Sequence, residues 1–181
     1  ENDILSRFFN TGLYSTGSVV PTLSPSMDIQ VASNFERYLY FRLGGDAARL
    51  RDLMQTFGQT GRLQLPLQPG EVVDNLFRAG VGDTANTLAT IQRYWKEHRY
   101  LLDTHTAVRV AVGERHLSDR VPMICLATAH PAKFPQAIRD ATGEDLAHHP
   151  VLDALADAPT RCDRLPNDEK AVRAYVAARA R

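Results

Sequence analysis

The stretch Val121-Pro-Met-Ile-Cys-Leu-Ala127 is a continuous apolar run of strand length, and Thr128, His130 and Lys133 follow it directly. A strand that is apolar at every position suits a parallel sheet covered by helices on both faces. This one segment therefore predicts an α/β chain. Only two or three segments have strand character, and helical periodicity dominates the rest. A central strand with so few neighbours predicts a helix-rich part of an α/β fold whose sheet is incomplete within the chain.

Length and charge narrow the classes further. The 181 residues allow one domain or little more. Lys+Arg and Asp+Glu are both 21, and a net charge of zero argues against a general nucleic-acid binder. Apolar residues make up 44% and charged residues 23%, which supports a sizeable core and argues against disorder. No apolar run reaches the length of a membrane span. Cys125 and Cys162 make neither a disulfide framework nor a zinc site, so no metal is expected. Cys125, inside the apolar run, reads as a small hydrophobe. The basic residues comprise 18 Arg and only Lys96, Lys133 and Lys170 as lysines, so any lysine chemistry within the chain has three candidates.

Cap and breaker residues set the expected elements. Asn2 opens a short helix through Phe9, ended by Gly12. Residues 11 to 25 read as a loop with one β-like piece, Ser18-Val19-Val20. Ser26 opens a longer helix that Gly44-Gly45 stops, and Ala47 to Phe57 is a second. Arg62 to Leu67 alternates polar and apolar and is bounded by two prolines, as an edge strand can be. Asp83 and Asp103 are N-caps of two further helices. Pro135 starts one that ends near Gly143, and 151–156 and 168–180 are the last two.

Three stretches can carry chemistry. The first is Leu126-Ala-Thr128-Ala-His130-Pro-Ala-Lys133-Phe134. It lies beyond the carboxyl end of the apolar strand, where open α/β sheets bind ligands. Pro131 biases His130 to an extended backbone. The plainer reading is a polar connection with a surface lysine. The second is Asp103-Thr-His105-Thr106. It is either a capped first turn or a helix start that presents amides, His105 and Thr106 to an anion. The third is Thr22-Leu-Ser-Pro-Ser26-Met-Asp28. Ser26 is either an N-cap or part of an anion site, against which Asp28 works. The pair His148-His149 lacks metal-ligand partners, and the Arg37, Arg42, Arg49 and Arg51 cluster is interleaved with acids as a solvated face.

Together these stretches resemble the longer-chain class of threonine synthase, in its carboxy-terminal portion. The matching segments run in order along almost the whole chain. They are Asn-Asp-Ile-Leu (2–5), Arg-Phe-Phe (7–9), Thr-Leu-Ser-Pro-Ser-Met-Asp-Ile-Gln-Val (22–31) and Ser-Asn-Phe-Glu-Arg-Tyr-Leu (33–39). Leu-Asp-x-His-Thr-Ala-Val (102–108), Leu-Ala-Thr-Ala-His-Pro-Ala-Lys-Phe-Pro (126–135) and Leu-Pro-Asn-Asp (165–168) complete the series.

The resemblance implies a pyridoxal-phosphate enzyme of fold type II, with a three-layer αβα sheet incomplete in this chain. It implies conversion of O-phosphohomoserine and water to threonine and phosphate: protons leave Cα and Cβ, phosphate departs from Cγ, and water adds at Cβ. The cofactor would be the electron sink. Residues 1–181 would form the carboxy-terminal part of the catalytic domain, with a helical extension from about 144. The Schiff-base lysine and the glycine-rich phosphate loop would lie in a missing amino-terminal part. No catalytic residue is then expected in this chain, which alone would be inactive. Thr128 is expected to meet the cofactor's pyridine nitrogen. His130 and Lys133 are expected near the substrate phosphate, with Ser26, Asp28, His105 and Thr106 as further pocket residues. The substrate and the missing part would be the partners, with neither nucleic acid nor membrane, in the cytoplasm. Two positions depart from the family's Asp-Pro-His-Thr-Ala-Val-Gly pattern. Thr104 stands for Pro, and Arg109 stands for Gly and must find an exit to solvent. A noncatalytic truncated relative acting as a binding module is the competing reading, and a fold type II lyase with another substrate is a third.

Overall fold

Helices form where sequence punctuation and periodicity agree in the computed structural model, which describes residues 2–68 and 70–180. Of the expected span 1–181, Glu1, Pro69 and Arg181 lie outside the described residues. The chain divides into two units, the first ending at His148 and the second beginning at His149.

The first unit holds two apolar cores. One is built by α1 (Ile4–Thr11), β1 (Leu13–Ser15), α2 (Phe35–Arg42), α3 (Ala47–Thr60) and β2 (Arg62–Gln64). Phe8, Tyr14 and Phe35 are buried at its centre. Phe8 meets Phe35 edge-on at 4.6 Å and Tyr14 stacks on Phe35 at 3.9 Å, contacts that add to their burial. The Tyr14 hydroxyl accepts a bond from the Ala32 amide at 2.8 Å, so its polar tip is satisfied. Tyr38 donates to Asp74 at 3.1 Å. Burial, with that carboxylate second, pushes the Tyr38 phenol up to about 12.

The two strands pair antiparallel, Tyr14 opposite Leu63. Each follows a left-handed glycine that caps the preceding helix: Gly12 at φ 74° and Gly61 at φ 65°. The edge strand expected from Arg62 is present and shorter, whereas β1 lies where a loop was expected. Ser18-Val19-Val20 forms no strand. The long helix expected from Ser26 is also absent as such. A single 3-10 turn, Pro25–Met27, is followed by irregular chain up to α2. The reason is local: Asp28 takes bonds from the Thr22 amide, the Thr22 hydroxyl and Asn2, which folds the segment back on itself.

The second core joins α4 (Thr84–His98), α5 (Thr104–Gly113) and α6 (Pro135–Thr142) through Ile91, Leu102, Ala107, Val110 and Ile138. Asp83 caps α4 by accepting from the Asn86 amide, and Pro135 and Gly143 bound α6. Gln92 donates to the Ala141 carbonyl at 3.0 Å and ties α4 to α6.

The run Val121–Ala127 differs from expectation. Beyond one bridge between Ser118 and Val121, it joins no sheet among the described residues. Cys125, half-buried, packs on the second core from one side. Ile124 and Leu126 are 79% and 68% exposed. One face of the run is covered by helix and the other is open, so the described residues do not supply the sheet expected around it. What remains is helix-rich, with a two-stranded sheet.

In the second unit, α7 (Pro150–Asp153) starts at His149, and α8 (Glu169–Arg179) is capped by Asp168, which accepts from the Ala171 amide. No side chain among residues 149–180 is buried.

Candidate functional site

The site is organised by the first turn of α5. Asp103, only 2% exposed, accepts bonds from the amides of His105 at 2.9 Å and Thr106 at 3.1 Å. Its second oxygen accepts from the Thr106 hydroxyl. The carboxylate thus occupies the amides that a helix start offers to an anion. Of the two readings open for this stretch, the capped turn is the one formed. Thr104, in place of proline, is fully buried and its hydroxyl lies 3.1 Å from His105 Nδ1.

His105 is 5% exposed and packs against the Phe134 ring at 5.0 Å. Burial lowers its pKa first and Asp103 opposes this; Arg109 and Lys133 lower it further, while Asp28 raises it. The imidazole is therefore neutral at pH 7. This field brings His105, Asp28, Arg109 and Lys133 into one electrostatic neighbourhood.

Arg109 does not run out to solvent alone. Its Nη1 donates to the Leu126 carbonyl at 2.7 Å and to the Thr128 hydroxyl at 2.6 Å. Thr128 is exposed, and Arg109 half-buried. A guanidinium only donates, so the Thr128 oxygen is an acceptor here and its own proton is left to give elsewhere. Two residues on, His130 has an extended backbone (φ −122°, ψ 138°), as Pro131 predicts. Its Nδ1 accepts from the Ala132 amide at 3.2 Å and starts the 3-10 turn Pro131–Lys133. Lys133 is exposed at the end of that turn.

The remaining candidates divide between two cavities with α5 as the shared wall. A cavity of about 290 Å3 is lined by Ser26, Asp28, Asp83, Thr84 and Val108, among others. A cavity of about 440 Å3 is lined by Asp103, Thr106, Ala127, Ala129 and His130, among others. Ser26 and Asp28 are thus not brought to the same cavity as Thr106 and His130. Thr128 lies between two lining residues of the larger one, Ala127 and Ala129. Gly82 lets the loop before α4 approach α5: a Cβ there would stand 3.2 Å from the Val108 side chain.

Residue spacing did not single out Arg109 as a site residue. The available signal was chemical, a long cation where the resembling family has glycine. Among the described residues, no group of three or more His, Cys, Asp or Glu side chains is placed to hold a metal. The three lysines are all exposed. Lys96 is in the last turn of α4, Lys133 in its 3-10 turn and Lys170 on α8. For a pyridine-type cofactor, the matching element is Thr128, a hydroxyl with its proton free for a ring nitrogen. No helix among the described residues is long and apolar enough to cross a membrane.

Comparison with known proteins adds independent observations. The family model "Threonine synthase, C-terminal" matches residues 106–176. The chain is 38% identical over 177 residues to the threonine synthase of Pseudomonas aeruginosa, covering 97% of this chain and 38% of that protein. It is 39% identical over 184 residues to the enzyme of Corynebacterium glutamicum, again covering 97% and 38%. Among solved structures, pyridoxal-phosphate-bound threonine synthase from Brucella melitensis superposes with a TM-score of 0.85 at 40% identity, covering 99% of this chain and 39% of that one. Threonine synthase from yeast gives 0.67 at 30% identity, covering 92% and 34%. The chain thus spans well under half the length of the relatives it matches.

Proposed function

Because this chain belongs to the threonine synthase family as a counterpart of its carboxy-terminal part, we propose that it completes the cofactor and substrate pocket of a cytoplasmic pyridoxal-phosphate-dependent lyase. The reaction is conversion of O-phosphohomoserine and water to threonine and phosphate. The observation that carries the reading is Thr128, an exposed hydroxyl whose oxygen accepts from Arg109. Its proton is available to a cofactor ring nitrogen. The cofactor, where bound, supplies the electron sink for the proton removals at Cα and Cβ.

The chain's own residues bind and orient. Lys133 supplies an exposed positive charge beside the His130 turn, suited to the departing phosphate. His105 stays neutral and does not compete for that anion. Asp28 and Thr106 have their bonds committed within the protein, so they shape the pocket walls. Ser26 is exposed at the smaller cavity, where a substrate group can reach it. Residues 1–181 act as the carboxy-terminal part of the catalytic domain, with the helical extension beginning at about 144. On this reading the Schiff-base lysine lies outside these 181 residues, so the chain alone is expected to be inactive. The same apolar exposure along Val121–Leu126 suits a noncatalytic module that binds no cofactor, and one titration separates the two.

That titration adds pyridoxal phosphate to the full-length protein and follows its visible absorbance, with phosphate release from O-phosphohomoserine as the second readout. The expected result is saturable binding and phosphate release. Thr128→Ala is expected to weaken cofactor binding about tenfold, the worth of one net hydrogen bond. Thr128→Ser, which keeps the hydroxyl, is expected to recover most of it. Absence of cofactor binding favours the module. Binding that is unchanged in Thr128→Ala removes Thr128 from the site.

A further inference from the structure

We propose that Arg109 is a positioning residue: it holds Thr128 as an outward hydrogen-bond donor and keeps the cofactor ring nitrogen that Thr128 meets unprotonated. The inference rests on the functional reading of Thr128 above, and it deepens that reading.

The argument begins with valence. Arg109 Nη1 lies 2.6 Å from Thr128 Oγ1 and 2.7 Å from the Leu126 carbonyl. A guanidinium has five donors, no acceptor, and a charge that does not titrate in proteins. In this pair the threonine oxygen can only accept. The hydroxyl retains its proton and one lone pair, and because Arg109 already draws on its oxygen, donation is the stronger bond that Thr128 offers on its open side. A protonated pyridinium is a donor and meets only the remaining lone pair of an oxygen that already accepts from a cation, the poorer match. An unprotonated ring nitrogen is an acceptor and matches.

Charge acts in the same direction. Among the described residues, no carboxylate forms an ion pair with Arg109. Its charge is felt on α5, where it lowers the His105 pKa. The groups that act on His105 from its own and neighbouring segments are Asp28, Asp103, Arg109 and Lys133. The two carboxylates are held by bonds of their own, Asp28 to Thr22 and Asp103 to the α5 amides. A fixed positive charge one hydroxyl away from a ring nitrogen lowers that nitrogen's pKa by about one to two units at the dielectric of a protein surface. The Leu126 contact supplies the rigidity. With one nitrogen donating to both the carbonyl and the hydroxyl, the guanidinium fixes the chain on either side of Ala127.

The test uses the full-length holoenzyme loaded with pyridoxal phosphate labelled with 15N in the ring, and reads the nitrogen chemical shift against pH. The parent protein is expected to show an unprotonated ring nitrogen from pH 6 to 9. In Arg109→Gln, which keeps an amide donor and removes the charge, the nitrogen's pKa is expected to rise by about one to two units, with a protonated fraction at the acid end. Arg109→Lys, which keeps the charge, is expected to behave as the parent. A protonated nitrogen in the parent at neutral pH overturns the proposal and needs no variant. An Arg109→Gln titration that matches the parent overturns it as well. If no labelled cofactor binds to the parent, the functional reading fails and this inference falls with it. Cofactor that binds with an unresponsive nitrogen sinks only the role of Arg109.

Discussion

Replacing Asp103 removes the bonds to two amides and to the Thr106 hydroxyl at once, at a site with almost no solvent. Caps of this kind are worth about 1–2 kcal/mol. Asp103→Ala is expected to lose about 2 kcal/mol in urea unfolding, and Asp103→Asn, which can still accept, less. Equal losses would mean that the carboxylate's charge, not its capping geometry, matters. His105 makes the other prediction at this scale. Its folded pKa lies below the ordinary 6.5 because burial disfavours the imidazolium. The unfolded state then binds more protons as pH falls through 6.5. Its contribution to stability is complete above that value and is lost progressively below it, down to the folded pKa. A titration of the His105 ring by NMR is expected to give a midpoint below 6.5. His105→Gln is expected to flatten the melting temperature between pH 7 and 5 relative to the parent. The contact between Arg109 and Thr128, 19 residues apart, is not readable from spacing. The sequence carries only the oddity of an arginine at that position.

Elements whose ends are written locally were legible. Asp83, Asp103, Pro135 and Gly143 all stand where the helices they punctuate begin or end. The misread strands involve partners far along the chain. β1 is three residues inside a Ser- and Thr-rich stretch, and it exists because β2, some fifty residues later, pairs with it. Residues 121–127 read as a strand from composition, yet a strand needs a ladder, and no described segment provides one. The helix expected from Ser26 failed because Asp28 had nearer donors than the helix amides. Two glycines separate backbone strain from close approach. A Cβ at Gly12 would stand 2.5 Å from the Leu65 carbonyl, whereas at Gly143 it would meet nothing within 4 Å, at nearly the same φ. Gly143→Ala is expected to cost about 1 kcal/mol from the left-handed backbone alone. Gly12→Ala is expected to cost about 2–3 kcal/mol, since strand pairing must shift as well. Equal costs in denaturant unfolding would show that the hairpin yields freely.

At the scale of the molecule, every fully buried side chain among the described residues lies within 2–148. Both apolar cores lie there, and residues 149–180 bury no side chain. Removing 149–181 is therefore expected to shift the melting midpoint of the remainder by no more than about 2 °C. A larger drop in differential scanning calorimetry would mean that the second unit supports the first. The pairing of β1 with β2 also sets an order of events in time. Three-residue strands offer little until their ends are close, and closing a loop of this length costs entropy before any ladder bond forms. Helices α2 and α3 lie between the strands and need only local contacts. They are expected to form early and shorten the search, with Tyr14 reaching the face of Phe35 late. Folding kinetics followed by the Tyr14 environment should thus lag behind those followed by helix content, with the aromatic core closing as the last step of the first unit.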